Sequence, residues 1–549
     1  MNAMDQSKEN RPRYPDFQDH LENLEKHGLL RRIDRAINKN TELHPLVRWQ
    51  FQGGIPESER SAFLFTNVTN GAGLHYDIPV AVGAFAASPE IYALGMGVTV
   101  EQIASTWIQA IKNPITPEII NSPSCQEIVA TGEGLAHPGG GIDQLPVPIS
   151  TPGYDAAPYL AATVVITKDP ETGIRNMGTY RAALKAPDRL GVRMATRIGG
   201  AGGYLHWLKY QKRREPMPCA IVVGAPPAVA FTGPQKLEID LDEMAVAGGL
   251  AGVPIRIAQA KTVDLEIPAD AEIVIEGMID TEQLEPEGPF GESHGHVALE
   301  DFNMSMKITA ITRKQKPVFA SIISQVTPSE SSVIKKVAYE PLLLSYLRHE
   351  KGIHGIIKVS MHEPLTNIRP VIFLQFEPGV TKETVWDGLN HTANWQAQCG
   401  KIVIAVSQDI DTLNTDAIFW SMAYRTNPEQ DLKIVPNRSR GHGPKSESKN
   451  SDSGILIDAT LKQPMPPLAL PTKTYMENAL KIWDELNLPS ANPRGPWHGY
   501  SLGDWDDAWD TFANNAVKDE WIANGQQTFE RRKSGIKPET PVRFVEKNK

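Results

Sequence analysis

Two glutamates, Glu287 and Glu292, stand five positions apart in the run Glu-Gly-Pro-Phe-Gly-Glu-Ser-His-Gly, residues 287–295. Pro289 and the two glycines between them exclude a regular helix, so the run predicts a tight loop presenting both carboxylates. Two carboxylates in one pocket push their proton affinities apart, which suits general acid–base work. The competing reading is a surface turn with solvated glutamates. A second group, Asn176-Met-Gly-Thr-Tyr-Arg181, follows a strand pattern and the turn Asp169-Pro-Glu-Thr-Gly173. On one extended chain Asn176 and Arg181 lie on opposite faces unless a bulge intervenes. An arginine facing a pocket pairs with a carboxylate or recognises an anion, whereas one on an exposed strand face is simply solvated. A third block, Gly224-Ala-Pro-Pro227, makes a rigid strand exit. Glu243, downstream of it, carries no signal alone, because most glutamates are solvated.

Other chemistry-bearing residues are weaker signals. The run Gly199-Gly-Ala-Gly-Gly203 looks like a phosphate loop but follows no clear strand of a βαβ unit, so a nicotinamide-dinucleotide enzyme is a distant reading. His294 and His296 are read as hydrogen-bonding loop residues rather than metal ligands. The basic run Lys209–Arg214 reads as a solvated face, the alternative being a seat for the phosphates of a coenzyme A thioester.

The elements that must position these residues are legible in part. Helical spacing of Phe17, Leu21, Leu24, Leu29 and Leu30 predicts a helical start with Gly28 as a stop. From Ser61 onward, short runs rich in Val and Ile, such as AFLF, PVAVGAF, TVVIT, CAIVV and EIVIEGMI, predict strands. Val100–Lys112 predicts a helix, and Leu135–Pro158 an irregular connector. Thr327-Pro-Ser-Glu330 predicts a helix start with Thr327 as cap, and Pro341 is expected to kink or break that helix. Beyond it, GIIKVSM, PVIFLQF and KIVIAV predict a small α/β sandwich, and Asn437–Ser453 a loop. The section from Trp483 carries five of the 11 tryptophans. Trp505 and Trp509 would share one helical face, with Asp504 as a cap. A segment so rich in aromatics should pack against the body or a neighbouring subunit.

The 549 residues include 55 basic and 65 acidic side chains, a net charge of −10, with 41% hydrophobic residues. These values exclude a disordered or fibrous chain, and the acidic balance argues against a general nucleic-acid binder. Three scattered cysteines, Cys125, Cys219 and Cys399, predict reduced thiols and a cytoplasmic setting. The polar opening stretch shows no signal peptide, and the greasiest region, Pro79–Val98, is too interrupted for a membrane span.

Taken in order, these blocks resemble the UbiD family of decarboxylases. The resemblance runs from about Ala62 to Thr460 on Leu145-Pro-Val-Pro148, Asp155-Ala-Ala-Pro-Tyr159, the DPETG turn, Asn176–Arg181, GAPP, EGPFGE and Trp420–Pro428. It implies an α+β fold: a flavin-binding domain with a split β-barrel over residues 1–326, and a smaller α/β oligomerisation domain over 327–465, joined by a helix. A tryptophan-rich extension follows over 466–549. It also implies reversible, non-oxidative decarboxylation of an aromatic or α,β-unsaturated acid with prenylated FMN. Phthaloyl-CoA is one option for the substrate, and a non-catalytic assembly subunit retaining the fold is the alternative function.

By the same resemblance Arg181, Glu287 and Glu292 form the catalytic group. Arg181 handles the substrate carboxylate and pairs with Glu287, and Glu292 shuttles the proton. Asn176 and Glu243 match two ligands of a divalent metal, manganese or similar, that ties the flavin phosphate to the protein; Thr179 belongs to the same cofactor site. Thr232–Gln235 matches a loop that helps hold K+. The family's third metal ligand is a histidine, and Arg197 stands in its place, where it would pair with the phosphate. His206 is nearby but out of register. The implied partners are a small aromatic carboxylate or its thioester, a flavin prenyltransferase as cofactor supplier, and copies of this chain in a dimer or hexamer.

Overall fold

The computed structural model describes residues 14–194, 196, 201–235, 237, 241–362, 369–396, 399–438, 452–463, 465–491 and 508–546. The chain divides into two compact units, one of residues 1–406 with 426–459 and one of residues 407–425 with 460–549.

The centre of the first unit is an antiparallel sheet. Its strands are β1 (Tyr159–Leu160), β2 (Thr163–Lys168), β3 (Arg175–Gly178), β4 (Arg181–Ala186), β5 (Arg189–Arg193), β6 (Met217–Val223), β7 (Ile273–Glu287) and β8 (Asp301–Arg313). The order is β3-β2-β6-β7-β8-β5-β4-β1, with Ile128–Thr131 also paired to β8. Val and Ile dominate β2, β6 and the first half of β7, and these segments are buried, as β-branched side chains on a covered sheet face should be.

Connectivity forces this sheet to curl. Strands β3 and β4 lie six strand spacings apart along the order, about 29 Å if the sheet were flat. Only Thr179 and Tyr180 separate them in sequence, and so short a link spans at most about 11 Å. The two regions of the sheet must therefore meet, and the Thr163 hydroxyl donates to the Tyr180 carbonyl across the gap. Among the described residues the ladder itself is an open path, so the curl is a barrel held shut by a chain link rather than by a ring of strand pairs. Asn176 and Arg181 consequently do not share one extended strand.

Two helices lie against this sheet: α1 (Gly202–Arg213), whose Trp207 indole donates to the Asp280 carbonyl at 2.9 Å, and α2 (Glu243–Ala251), capped by Asp242. At the start of the chain a helix at Phe17–Lys26 ends before Gly28, which adopts φ 71°, and the strand Leu30–Ile33 follows. The predicted helical start thus holds for Phe17, Leu21 and Leu24, while Leu30 opens a strand.

Helix α3 (Glu330–Ser345) is capped two residues later than expected. Ser329 and Ser332 exchange side-chain and backbone bonds, and Thr327 and Pro328 precede the cap. The helix continues through Pro341, which the sequence reading had as a kink or break, and is followed by a wider turn at Tyr346–Glu350. Tertiary packing overrides the proline here, since Val333, Ile334, Ala338 and Leu343 are all buried. Beyond it lies a five-stranded sheet in the order Ile356–Met361, Val371–Phe376, Ile402–Ser407, Asp452–Ala459, Leu432–Arg438. The expected loop at 437–453 is narrower, because Asn437, Arg438, Asp452 and Ser453 belong to strands and 439–451 lie outside the described residues.

The second unit contains the helices Thr415–Arg425, Lys473–Glu485, Ala508–Val517 and Trp521–Glu530. Arg425 and Asp409 form a buried two-point ion pair at 2.8 and 2.6 Å. Trp505 and its predicted cap Asp504 lie outside the described residues, and the helix carrying Trp509 begins at Ala508. Trp483, Trp509 and Trp521 are exposed. All three cysteines are buried, unpaired thiols, and no helix among the described residues is long and apolar enough to cross a membrane.

Glu330, the first residue of α3, is fully buried and accepts the Ile323 amide at 2.9 Å. Burial pushes its carboxyl up to about 7. A raised folded value means that its favourable contribution is complete below its ordinary range and is lost as pH rises toward 7. Glu330→Gln should remove this dependence. The stability of the wild type relative to the variant should fall from pH 4.5 to 7 by up to about 1.4 kcal/mol per unit. Urea unfolding at several pH values checks it, and a constant difference would refute it.

Candidate active site

Arg181 opens β4, directly across from Arg193, the last residue of β5. Directly opposed side chains on an antiparallel pair share a face, and like charges there repel unless anions intervene. Two anions do. Arg181 donates from Nε to Glu287 Oε1 at 2.9 Å and from Nη2 to Glu287 Oε2 at 2.8 Å, a two-point pair. Its remaining arm, Nη1, reaches Glu292 Oε1 at 2.5 Å, and Nη1 of Arg193 pairs with the same oxygen. Glu287 has no exposed side-chain surface, Arg181 has 9% and Glu292 18%.

Each acid is placed differently. Glu287 ends the long strand β7 and also accepts Asn303 Nδ2 at 3.3 Å. Glu292 lies on the loop beyond, where its amide donates to the His296 carbonyl and its own carbonyl accepts from Gly295. The loop turns at Gly288, whose φ of 113° is open to glycine alone. Asp155 ties the loop down by accepting the Gly291 amide at 3.0 Å and the Thr151 amide at 2.6 Å. Burial raises the Asp155 carboxyl above its ordinary range. The aromatic wall comes from Tyr159 and Phe290, with ring centroids 4.1 Å apart. The Arg181 guanidinium lies 4.6 Å from the centre of Phe290 and 5.9 Å from that of Tyr159. Burial, and secondly the charge of Glu287, pushes the Tyr159 phenol far above its ordinary value.

Across the two-residue link, Asn176 on β3 donates Nδ2 to the Tyr180 hydroxyl at 3.3 Å. Its Oδ1 lies against the start of α1, where a Cβ on Gly202 would fall 1.7 Å away. Glu243, the first residue of α2, accepts the amide of Met177, the neighbour of Asn176, at 3.2 Å. Burial raises its carboxyl to about 7. Among the described residues no ion pair compensates Glu243. Thr179 Oγ1 faces Gly233, 3.2 Å from where its Cβ would stand.

The structure therefore gathers Arg181, Glu287 and Glu292 into one cluster and sets Glu243 beside the backbone of Asn176. Arg197 lies outside the described residues. His206 is buried on α1 against the Thr167 hydroxyl at 2.9 Å, and burial holds it neutral by lowering its value to about 4. His294 Nδ1 accepts the His296 amide within their own loop. Among the described residues no cluster of three metal-ligating His, Cys, Asp or Glu side chains is present. Within the basic run, Lys209 pairs with Asp169 and Glu171, and Arg213 donates to the Pro170 carbonyl. Sequence reasoning missed Arg193 as a site residue, along with Phe290 and Asn303.

Comparison with known proteins decides the family. The chain matches three successive domains of 3-octaprenyl-4-hydroxybenzoate carboxy-lyase (UbiD): the N-terminal domain over residues 21–111, the Rift-related domain over 119–326 and the C-terminal domain over 332–459. The chain belongs to the UbiD family. It is 27% identical over 477 residues to the Synechocystis sp. protein sll0936, covering 82% of this chain and 90% of that one. The UbiD-class enzyme HmfF of Pelotomaculum thermopropionicum, solved in complex with FMN, superposes with a TM-score of 0.71 at 26% identity, over 83% of this chain and 95% of that one. The same enzyme has been solved in an evolved dimeric form with prFMN. The vanillic acid decarboxylase of Sedimentibacter hydroxybenzoicus shares the fold, with a TM-score of 0.69 at 23% identity over 86% and 99% of the two chains. UbiD proteins are carboxy-lyases, and the chain is a decarboxylase by family.

The buried pair makes a stability prediction. Arg181→Met leaves Glu287 charged and unpaired in the interior and should cost about 3–5 kcal/mol. Replacing both residues by apolar side chains, Arg181→Met with Glu287→Leu, should recover most of that loss. Denaturant unfolding measures both variants. A single-variant loss below about 1 kcal/mol, the level of an exposed pair, would contradict this account.

Proposed function

We propose that this UbiD protein catalyses reversible, non-oxidative decarboxylation of an aromatic carboxylic acid using prenylated FMN, with Arg181, Glu287 and Glu292 as its catalytic group. The observation that carries the reading is the single guanidinium of Arg181 bridging both carboxylates against an aromatic wall.

The residues present fit the cofactor. Glu243 is a desolvated carboxylate with no ion pair among the described residues, and together with Asn176 Oδ1 it offers hard oxygen donors of the kind that Mn2+ or Mg2+ accepts. Asn176, Thr179 and Glu243 would hold the metal–phosphate end, with Arg197 as a further phosphate partner. At Thr232–Gln235 the buried Gln235 Oε1 has no hydrogen-bond partner among the described residues, which suits a K+ ion held there. When bound, the flavin supplies a sink for the electron pair left behind as CO₂ departs.

The protein's own tasks are binding, water exclusion and one proton. Tyr159 and Phe290, tilted against each other, line the cluster on its apolar side beside the Arg181 guanidinium. Arg181 supplies the cation for the acid. Loss of CO₂ breaks the bond from the ring carbon to the carboxyl carbon, and the electron pair stays with the ring carbon. A proton then completes the C–H bond. Glu292 Oε1 is engaged by arginine, and no group bonds Oε2 among the described residues, so Oε2 is the oxygen that carries the proton. A free aromatic acid is favoured over a coenzyme A thioester such as phthaloyl-CoA, because Lys209 and Arg213 are engaged locally. The assembly-subunit alternative lacks support, since the whole catalytic group is retained.

Copies of the chain are expected to associate through the C-terminal section, where Trp483, Trp509, Trp521, Ile522 and Phe529 are exposed. Truncation after Pro471 should lower the subunit count by light scattering and reduce the melting temperature. An unchanged subunit count would remove this part of the reading.

For the chemistry, the protein is co-produced with a flavin prenyltransferase. The bound cofactor is identified by absorbance and mass, and CO₂ release is measured over a panel of aromatic acids. Glu292→Gln should lower turnover by about 100-fold or more while the flavin content stays unchanged. Near-normal turnover in a fully loaded variant would sink the assignment of the proton to Glu292.

A further inference from the structure

The decarboxylase reading gives Arg181 the substrate carboxylate, and the geometry limits where it can hold one. Its Nε–Nη2 edge is taken by Glu287 at 2.9 and 2.8 Å, and its outward Nη1 end is occupied by Glu292. A carboxylate can reach this guanidinium only at the end that Glu292 now holds. Displacing Glu287 to free that edge would strand a fully buried carboxylate, the costly outcome for an interior charge.

Arg193 brings a second cation to the same place. Its Nη1 converges on the same point as that of Arg181, and the point is now held by Glu292 Oε1. The convergence is built into the sheet, because the two residues are paired in register on neighbouring strands. Glu287 and Glu292 are the two carboxylates whose ion pairs with Arg181 and Arg193 the structure records, and of these only Glu292 is partly exposed. Other titratable groups near the cluster include Tyr159 and Asp155, with Arg48 beside Asp155 and Lys185 beside Glu287.

We propose that Arg193 is a substrate-binding residue: Nη1 of Arg181 and Nη1 of Arg193 form a seat for the reacting carboxylate, and Glu292 occupies it until substrate displaces it. The proposal rests on the decarboxylase reading for the identity of the anion. The seat itself selects a carboxylate, and the ring that carries it comes from the proposed function. It also gives Glu292 a reason to move, since the acid that leaves the seat is the one with an oxygen free to carry a proton.

Benzoate is the probe, with benzamide as its uncharged counterpart, titrated calorimetrically into flavin-loaded protein. The wild type should bind benzoate in preference to benzamide. Arg193→Gln should weaken benzoate by about tenfold or more and leave benzamide nearly unchanged, as the loss of a charged hydrogen bond requires. Arg193→Lys should recover part of the loss. Glu292→Gln should move benzoate in the opposite direction, toward tighter binding, because it removes the resident anion. Flavin content and melting temperature establish that each variant is folded. Unchanged benzoate binding in Arg193→Gln, or weaker binding in Glu292→Gln, overturns the proposal. The readout does not depend on turnover. Benzoate binding that follows this pattern in a protein that releases no CO₂ would sustain the seat and remove the decarboxylase reading.

Discussion

The buried pair between Arg181 and Glu287 is the constraint around which the rest of the site is arranged. Glu287 has no exposed side-chain surface, so its charge must be met inside the protein. That requirement fixes the guanidinium edge-on to Glu287, with its third arm turned toward Glu292. It also fixes the strands, since β4 must bring Arg181 to the far end of β7, where Glu287 sits. Asn303 on β8 adds a further donor to Glu287, and Phe290 and Tyr159 stand beside the cation. The pair contributes little net stability, because both partners are desolvated, but it specifies one arrangement of the pocket.

The second constraint is the link of Thr179 and Tyr180. It ties strands from opposite ends of the ladder and so places Asn176 and Arg181 on either side of one short connection. Tyr180 serves both directions. Its carbonyl accepts the Thr163 hydroxyl, and its own hydroxyl accepts Asn176. On the proposed function, the anchoring of the cofactor phosphate and the grip on the substrate acid therefore share one rigid element. A shift of this link would move both at once.

The parts of this arrangement legible in the sequence are those set by local chemistry. Strand-forming runs of Val and Ile, and a Gly–Pro loop between two glutamates, are local properties, and the strands at 163–168, 217–223 and 273–287 follow them. The resemblance to UbiD proteins supplied the grouping of Arg181 with the two glutamates, which no local pattern contains. Arg193 was not legible because its position depends on register. A simple hairpin centred on Pro187 and Asp188 would put Met194 opposite Arg181. A bulge between Leu184 and Ala186 shifts the pairing by one residue and brings Arg193 there instead. The start of α3 was misplaced for a similar reason. Thr327 and Ser329 are both adequate caps, and the choice is made by Glu330, which must reach the buried Ile323 amide.

The two glutamates have the same chemistry and differ in how they are held. Glu287 ends a strand of 15 residues, has both oxygens bonded to one guanidinium, and accepts a third bond from Asn303. Any movement of it breaks several bonds in a dry interior. Glu292 sits on a loop whose backbone is anchored through Asp155 and His296, while among the described residues its side chain is held through a single oxygen. It can swing about its own bonds without disturbing the strand. A proton carrier has to exchange its proton with solvent and then reach a substrate carbon, so mobility and partial exposure are requirements rather than incidental features. Glu292 is partly exposed and stands on a loop, whereas Glu287 has no exposed side-chain surface. On the proposed function, the division of labour between the two acids follows from their supports, one a strand end and the other a loop.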